Sequence, residues 1–401
     1  MPGGAAFAGP VRHVYVHVPF CSARCDYCDF TSQAVGAAGP ADPAVAALFD
    51  AYVDGVVAEW ELERATHDVR RLETLYLGGG TPALLGPLRL ERLLQSFDPW
   101  LTPRAEVTVE TNPDEADEPF ARWAARRGVR VSLGVQSFDP RLRSALGRRP
   151  AADPAAAARR LRAAGVRDLN LDLMHGIPGQ TPADLEADLA TIEEVGSDHV
   201  SWYELDVVPD TPLARRLRSA PCRGAEAQLD DHDEDERAIL YRRVVRGLQR
   251  RGYHWYEVSS FARPRRRARH NVAYWRARPY LGLGPGAVST VGPRRWRNLP
   301  DLERYLAALG AGHTARPSRG SLEPPREYED LDDKTLARER LLLAARCGLT
   351  VPLAEVEAAV DPAAASPLAQ AGLLSLHSGT IRVTRKGRYV ANEVCVRLFR
   401  V

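Results

Sequence analysis

Three cysteines stand within eight residues, Cys21-Ser-Ala-Arg-Cys25-Asp-Tyr-Cys28, in a chain of 401 residues that has only six. Cysteine sulfur is the usual ligand of iron–sulfur clusters, so three clustered thiolates suit one. With three protein ligands rather than four, one iron of a four-iron cube stays open to an exchangeable ligand. Zinc is the rival, but a structural zinc site takes four ligands in paired C-x-x-C spacing, and no second pair follows. Buried core cysteines are the plain alternative, against which three so close together on a loop argue. The remaining Cys222, Cys347 and Cys395 are scattered and form no disulfide framework. That fits a reducing cytoplasm.

The thiols need an element to carry them. The alternating stretch Val14-Tyr-Val-His-Val18, stopped by Pro19, predicts a strand that delivers them onto a loop at its carboxyl end. A small linker, Ala34 to Pro43, leads to a helix over 44–65 and a strand over Arg71–Leu77, which ends in Gly78-Gly79-Gly80-Thr81-Pro82. The pattern then repeats. Helix 87–96 precedes strand Glu106–Glu110, and helix 117–127 precedes strand Val129–Val135. Helices 139–146 and 153–164 precede strand Leu169–Met174, and helix 182–195 precedes strand His199–Leu205. Six strands alternating with helices read as βα units around a parallel sheet. Right-handed crossovers curl such a series into a barrel or part of one, with functional residues at the carboxyl ends of its strands.

Those ends carry the three cysteines, then Gly78–Thr81, Glu110-Thr-Asn112-Pro113, Gln136-Ser137-Phe138, and Asp172 with His175-Gly176. Singly, each has a structural reading: a triple glycine makes a tight turn, and a glutamate caps a helix. In register behind a three-thiol loop, they point to one site.

The rest of the chain gives weaker signals. Asp230 to Glu236 is an acidic run opening a helix over 233–251, where the helix dipole favours it. Arg263 to Arg269 holds five arginines, read as a solvated face, with an anionic ligand or a membrane surface as alternatives. His270-Asn271-x-x-Tyr274-Trp275 reads either as a packed core histidine or, beside the loop Gly282-Leu-Gly284-Pro-Gly286, as a place of close backbone approach to a ligand. From Leu331 on, helices over 333–346, around 352–360 and around 366–372 precede the β segment Thr380–Thr384 and a last helical piece, a winged-helix-like pattern. A formal net charge of +2 and the lack of a basic recognition helix argue against nucleic acid. No apolar run approaches the roughly 18 residues of a membrane span, and MPGGAAFAGP shows no signal-peptide pattern. The expected fold is α/β: a partial (β/α)6 TIM-like barrel with a C-terminal, mainly helical, winged-helix-like domain. The expected boundaries are a flexible N-terminus over 1–10, barrel and extension over 11–300, a linker over 301–330, and the last domain over 331–401.

Cys-x3-Cys-x2-Cys, Gly-Gly-Gly-Thr-Pro and Gly134-Val-Gln-Ser-Phe138 resemble the radical S-adenosylmethionine (SAM) superfamily, and more narrowly the group around the oxygen-independent coproporphyrinogen III oxidase. The resemblance runs from about Val14 to the C-terminus. In the true oxidase a fourth cysteine stands two positions after the third, behind a long N-terminal extension; here that position is Phe30, and 20 residues precede Cys21. Phe30 and the His270 hexad resemble the haem-chaperone subgroup instead. The resemblance implies a [4Fe-4S] cluster on Cys21, Cys25 and Cys28, with SAM at its open iron. It implies SAM contacts from Tyr15, Gly79, Gly80, Thr81, Glu110, Gln136, Arg148 and Asp172, with Tyr27 near the adenine. His270 is the implied haem contact, with Tyr274 and Trp275 offering aromatic surface. The implied function is to bind haem and pass it to an acceptor protein, without coproporphyrinogen oxidase activity; the alternative is the oxidase, which decarboxylates propionates. Implied partners are haem and a haem-accepting protein, membrane-bound or not, in the cytoplasm or at the inner face of the membrane, with no nucleic acid; a homodimer stays open. Two positions depart from the family pattern. Gly286-Ala287-Val288 and Leu146-Gly-Arg148-Arg-Pro150 each lack the histidine found in relatives, which bears on haem ligation and leaves the cluster motif intact.

Overall fold

The structure, a computed structural model, describes residues 7–36, 39–148, 152–219, 234–311 and 323–399. Six strands run parallel as consecutive neighbours: β1 (Val11–Val18), β2 (Val69–Gly79), β3 (Leu101–Thr111), β4 (Arg130–Gln136), β5 (Leu169–His175) and β6 (His199–Glu204). These are the six expected strands. The parallel strand Leu281–Leu283 extends the sheet beside β1, and antiparallel Ser260–Ala262 and His254–Glu257 extend it beyond β6. The two edge strands do not pair, so the curled sheet of nine stays open.

Local chemistry sets the helix boundaries between strands. Asp42, Asp117, Asp139, Asp153 and Thr181 each accept a backbone N–H of the following first turn, and each of those turns holds a proline. Proline belongs there because that turn has no intrahelical use for its missing N–H. Gly128, Gly165 and Gly196 close three of the helices with positive φ.

Alternation along the strands separates two faces. Val14, Val16 and Val18 on β1, with Leu75 and Leu77 on β2, are fully buried against the helices. Their interleaved partners are polar and share the inner face in register: His13 with Thr74, Tyr15 with Tyr76, and Glu110 with Ser132. The strand bodies are therefore polar inside as well as apolar outside.

The last domain has its own core, formed by Leu341, Val351, Ile381, Val394, Leu398 and their neighbours. Helices Asp333–Cys347, Pro362–Gln370 and Ala391–Leu398 pack on a small sheet of Val351–Pro352, Thr380–Val383 and Leu374–His377. The helix expected around 352–360 is only a short 3-10 turn at Leu353–Glu355, and the strand Leu374–His377 was not expected. Arg346 ties the domain to the barrel through Glu257 at 2.8 Å, and Arg388 lies 3.9 Å over the Trp255 ring.

Two boundary expectations need correction. Within the stretch 1–10 expected to be flexible, residues 1–6 lie outside the described residues, but Phe7 is 1% exposed and packs on Ala277, Leu331, Leu336 and Leu343. The expected linker 301–330 holds helix Leu302–Ala308 and strand Arg326–Asp330, which pairs with Arg294–Asn298. Cys222 and Asp230–Asp233 of the acidic run lie outside the described residues.

Candidate functional site

Cys21 ends a two-residue strand, Phe20–Cys21, paired in parallel with Gln33–Ala34. Backbone bonds from Gln33 N–H to the Pro19 carbonyl (2.8 Å) and from Val35 N–H to the Cys21 carbonyl (2.9 Å) close the neck of the loop. Within it, Cys28 N–H donates to the Cys25 carbonyl at 3.2 Å, and Asp26 bonds through its backbone to Leu146 (3.1 Å) and Leu213 (2.9 Å). His17 Nε2 lies 2.7 Å from the Thr31 carbonyl. Cys21, Cys25 and Cys28 are free and partly exposed. Burial pushes each thiol up from its ordinary value, and a bound metal centre would offset that by stabilising the thiolates. Among the described residues no three His, Cys, Asp or Glu side chains close around a single ion. Three free thiols on one short loop suit the separate iron corners of a cluster.

The glycines of the next strand end make room beside Cys21. Gly80 N–H donates to the Val18 carbonyl at 2.8 Å and Thr81 N–H to the Phe20 carbonyl at 2.7 Å. A Cβ on Gly80 would sit 2.4 Å from the Phe20 carbonyl oxygen, so only glycine fits. From here a hydrogen-bond relay crosses the mouth. Arg148 Nη2 donates to Asn112 Oδ1 (2.5 Å), Asn112 Nδ2 donates to Thr81 Oγ1 (2.8 Å), and Thr81 Oγ1 donates to Cys21 Sγ (3.7 Å). The guanidinium only donates. It therefore fixes the orientation of the Asn112 amide, which leaves the Thr81 hydroxyl proton aimed at sulfur.

Two carboxylates face the same mouth. Glu110 accepts from the Tyr76 hydroxyl (2.6 Å) and from Gly79 N–H (3.1 Å), and burial pushes its carboxyl up to about 7 despite these donors. Asp172 accepts from Ser132 Oγ and Asn170 Nδ2, both at 2.8 Å, and burial pushes it up as well. Tyr15 bonds His17 Nδ1 at 3.0 Å, and its ring lies 6.0 Å from that of Tyr76. Gln136 holds φ +65° where the β4–β5 register breaks, a strain of about 1–3 kcal/mol for a residue other than glycine. Tyr27 packs on the cluster formed by Leu142, Leu146, Met174 and Leu213, and burial raises its hydroxyl while Arg148 opposes the shift. The structure thus gathers Tyr15, Gly79, Gly80, Thr81, Glu110, Gln136, Arg148 and Asp172 around the end of the sheet that carries Cys21.

His270 does not join them. Its Nδ1 lies 2.8 Å from Thr74 Oγ1, which also bonds His13 Nδ1 at 3.0 Å. Thr74 precedes Gly78 by four residues, roughly 13 Å along the strand, so His270 sits half-buried and well away from the cysteine end of the sheet. Glu106 receives the backbone N–H groups of Arg269 (2.9 Å) and His270 (3.0 Å). Trp275 packs with Phe7, Leu331 and Leu336 under the Arg346 guanidinium, 4.6 Å from its ring, and so joins the two domains. Tyr274, 39% exposed, keeps open aromatic surface. The Gly282–Gly286 loop approaches this chain itself. A Cβ on Gly284 would meet the His17 carbonyl at 2.5 Å, and one on Gly286 would meet Thr31 at 3.0 Å, so the loop backs the cysteine loop.

A profile of the radical SAM superfamily matches residues 15–192, and one of the HemN C-terminal domain matches residues 331–390. A curated protein of Mycobacterium tuberculosis named "Heme chaperone HemW" is 38% identical over 98% of this chain and 96% of its own length. The chain belongs to the HemW family of radical SAM proteins. HemW relatives from Escherichia coli (33% identical over 84% of each chain) and Bacillus subtilis (27% over 96% and 98%) agree. The solved radical SAM enzyme coproporphyrinogen III oxidase (HemN) of Escherichia coli superposes with a TM-score of 0.75 over 98% of this chain and 90% of that one, at 22% identity, which establishes the shared fold. As a radical SAM protein the chain takes a [4Fe-4S] cluster and SAM, and three free thiols beside a glycine-lined approach fit that group. Phe30, where the oxidase pattern has a cysteine, is 62% exposed beside the thiols.

Sequence reasoning overlooked the rest of the polar interior of this HemW relative. His199 bridges Asn170 Oδ1 (2.6 Å) and the Tyr256 hydroxyl (2.7 Å), and Asn170 Nδ2 donates to Ser132 at 2.6 Å. Period-two alternation was the available signal. Burial keeps several histidines neutral, pushing His13 and His175 down to about 4 and His270 to about 3. The unfolded chain takes up these protons near pH 6.5, and the native chain takes them up only far lower. Stability is therefore complete above about pH 7 and lost as pH falls, by about 2 kcal/mol at pH 5 per fully buried histidine and by less for the partly exposed His270. Urea midpoints should be flat above neutrality and fall steadily to pH 5; a flat profile throughout would refute the assignment.

Proposed function

We propose that this chain binds haem and hands it to an acceptor protein, and that its cluster and SAM module serves this task rather than propionate decarboxylation. The observation that carries the reading is near full-length similarity to proteins named heme chaperone, supported by Phe30 in place of a fourth cysteine. Cys21, Cys25 and Cys28 hold the cluster, whose open iron, when present, offers a seat to the amino and carboxylate groups of SAM. Gly79 and Gly80 let the ligand lie against backbone, Thr81 and Arg148 orient it through the Asn112 relay, and Glu110, Gln136 and Asp172 present polar groups to its ribose and amino group. Tyr15 and Tyr27 line the methionine and adenine ends. His270 is the haem contact. Its Nδ1 is engaged by Thr74, and its Nε2 makes no hydrogen bond among the described residues, an arrangement that fixes a ring for ligation through Nε2. The acceptor, membrane-bound or not, is met at the cytoplasmic side, and among the described residues no helix is long and apolar enough to cross a membrane.

Titrating the anaerobically reconstituted protein with haem should give a stoichiometric Soret-band complex, weakened about tenfold or more in His270→Ala. Absence of that complex overturns the proposal. Decarboxylated product after incubation with dithionite, SAM and coproporphyrinogen III would favour the oxidase instead.

A further inference from the structure

At the amino-terminal ends of β3, β4 and β5, opposite the cysteines, lies a pocket of about 840 Å³ lined by nine arginines and two carboxylates. Its positive residues come from separate segments: Arg104 from β3, Arg126 from the last turn of helix Glu118–Arg127, Arg167 from the approach to β5, and Arg265 and Arg267 from the segment after strand Ser260–Ala262.

Both carboxylates are already engaged. Glu106 receives two backbone N–H groups, and Asp168 pairs with Arg130 at 2.5 Å and with Arg266 at 3.9 Å. The side chains of Arg104, Arg126, Arg167 and Arg265 have neither an ion pair nor a hydrogen bond among the described residues. Arg267 rests on the face of Tyr256, 5.3 Å from its centroid, which holds it in place. Arg265 adopts φ +67°, a left-handed conformation that L side chains avoid and that concentrates at ligand clamps.

The plain reading is that these arginines answer the carbonyl ends of helices Glu118–Arg127 and Pro154–Ala164, which both terminate at the pocket. Two helix ends supply only about half a negative charge each. That offsets one arginine and leaves several exposed guanidinium groups lining one concavity with no counter-charge of their own among the described residues. An anion supplies that counter-charge. Guanidinium rather than ammonium groups favour paired hydrogen bonds to carboxylate or phosphate oxygens, and the volume is that of a small-molecule site rather than of a nucleic-acid track.

We propose that this pocket binds a compact polyanion carrying two or more phosphate or carboxylate groups, at a site separate from the cluster. The groups come either from a free polyphosphate or from the two propionates of a tetrapyrrole. The site stands on its own geometry and does not depend on the haem-transfer reading.

The test is calorimetric titration of the full, cluster-loaded chain with inorganic pyrophosphate at roughly 0.05 M and 0.3 M salt. One saturable, salt-sensitive site is expected, weakened about tenfold per arginine removed in Arg167→Gln and Arg265→Gln, with iron content unchanged. If either variant folds poorly, Arg104→Gln and Arg126→Gln serve in its place. A second arm compares haem with its dimethyl ester. Weaker binding of the ester, reproduced by Arg167→Gln and abolished by excess pyrophosphate, assigns the site to propionates. Pyrophosphate binding with no difference between haem and ester assigns it to a free polyphosphate. No saturable pyrophosphate binding together with no ester effect, or binding that the arginine substitutions leave unchanged, overturns the proposal.

Discussion

Replacing any one of Cys21, Cys25 and Cys28 by alanine is expected to lower bound iron and acid-labile sulfide from about four of each per chain to below about one. The far-UV spectrum and the melting transition should stay those of the parent. The loop that carries the thiols is closed at its neck by main-chain pairing of Phe20–Cys21 with Gln33–Ala34, and Asp26 is anchored to Leu146 and Leu213 through its own backbone. None of these bonds involves sulfur. The thiols are partly exposed, so their removal leaves no cavity of consequence in the core. A cube already one protein ligand short cannot stay bound on two. Cys347→Ala is the control, since Cys347 lies in the other domain and should leave iron content unchanged. Full iron and sulfide in all three loop variants would end the cluster assignment.

The second large effect concerns stability. Glu59→Ala should cost about 3–5 kcal/mol, the range for breaking a buried charged pair by removing one partner. Glu59 is fully buried and satisfies four groups: Gly284 N–H (2.8 Å), Asn298 Nδ2 (2.6 Å), the Tyr305 hydroxyl (2.6 Å) and Arg326 Nη2 (3.2 Å). Arg326, whose side chain is 5% exposed, keeps Glu63 as a neighbour, and Asn298 Nδ2 keeps the Gly284 carbonyl at 2.9 Å, but Gly284 N–H and the Tyr305 hydroxyl lose their acceptor in a buried site. An unsatisfied buried donor costs more than the bond itself contributes. Urea unfolding against the exposed-site control Glu61→Ala measures the difference; a loss below about 1 kcal/mol would show that the network relaxes around the gap. Because Glu59 holds Gly284, and Gly286 leans on Thr31, the same change should loosen the cysteine loop and speed iron release to a chelator.

What the sequence made legible follows from local physics. The six strands and most of their helices could be read because hydrophobic periodicity, Asp-Pro or Thr-Pro helix starts and glycine ends act over a few residues. The cysteine motif and the glycine-rich strand end could be read because their spacing is itself the chemistry. The place of His270 could not be read, since it depends on Thr74 and His13, far away in the chain. Nor could the glycines of the Gly282–Gly286 loop be assigned their true neighbours, because a close approach to His17 and Thr31 looks the same in sequence as one to a ligand. Phe7 and strand Arg326–Asp330 are held by partners that periodicity does not name. The pocket arginines were visible only in part. Arg263 to Arg269 form a run, whereas Arg104, Arg126 and Arg167 join it only once the strands are side by side.

The neck of the cysteine loop also bears on the order of assembly. Since main-chain bonds and the His17 side chain shut that ring without sulfur, its closure does not call on the inorganic component, and the polypeptide can take this form first. Oxidative loss of iron then leaves an empty but intact receptacle, and the same molecule can be refilled without being made again.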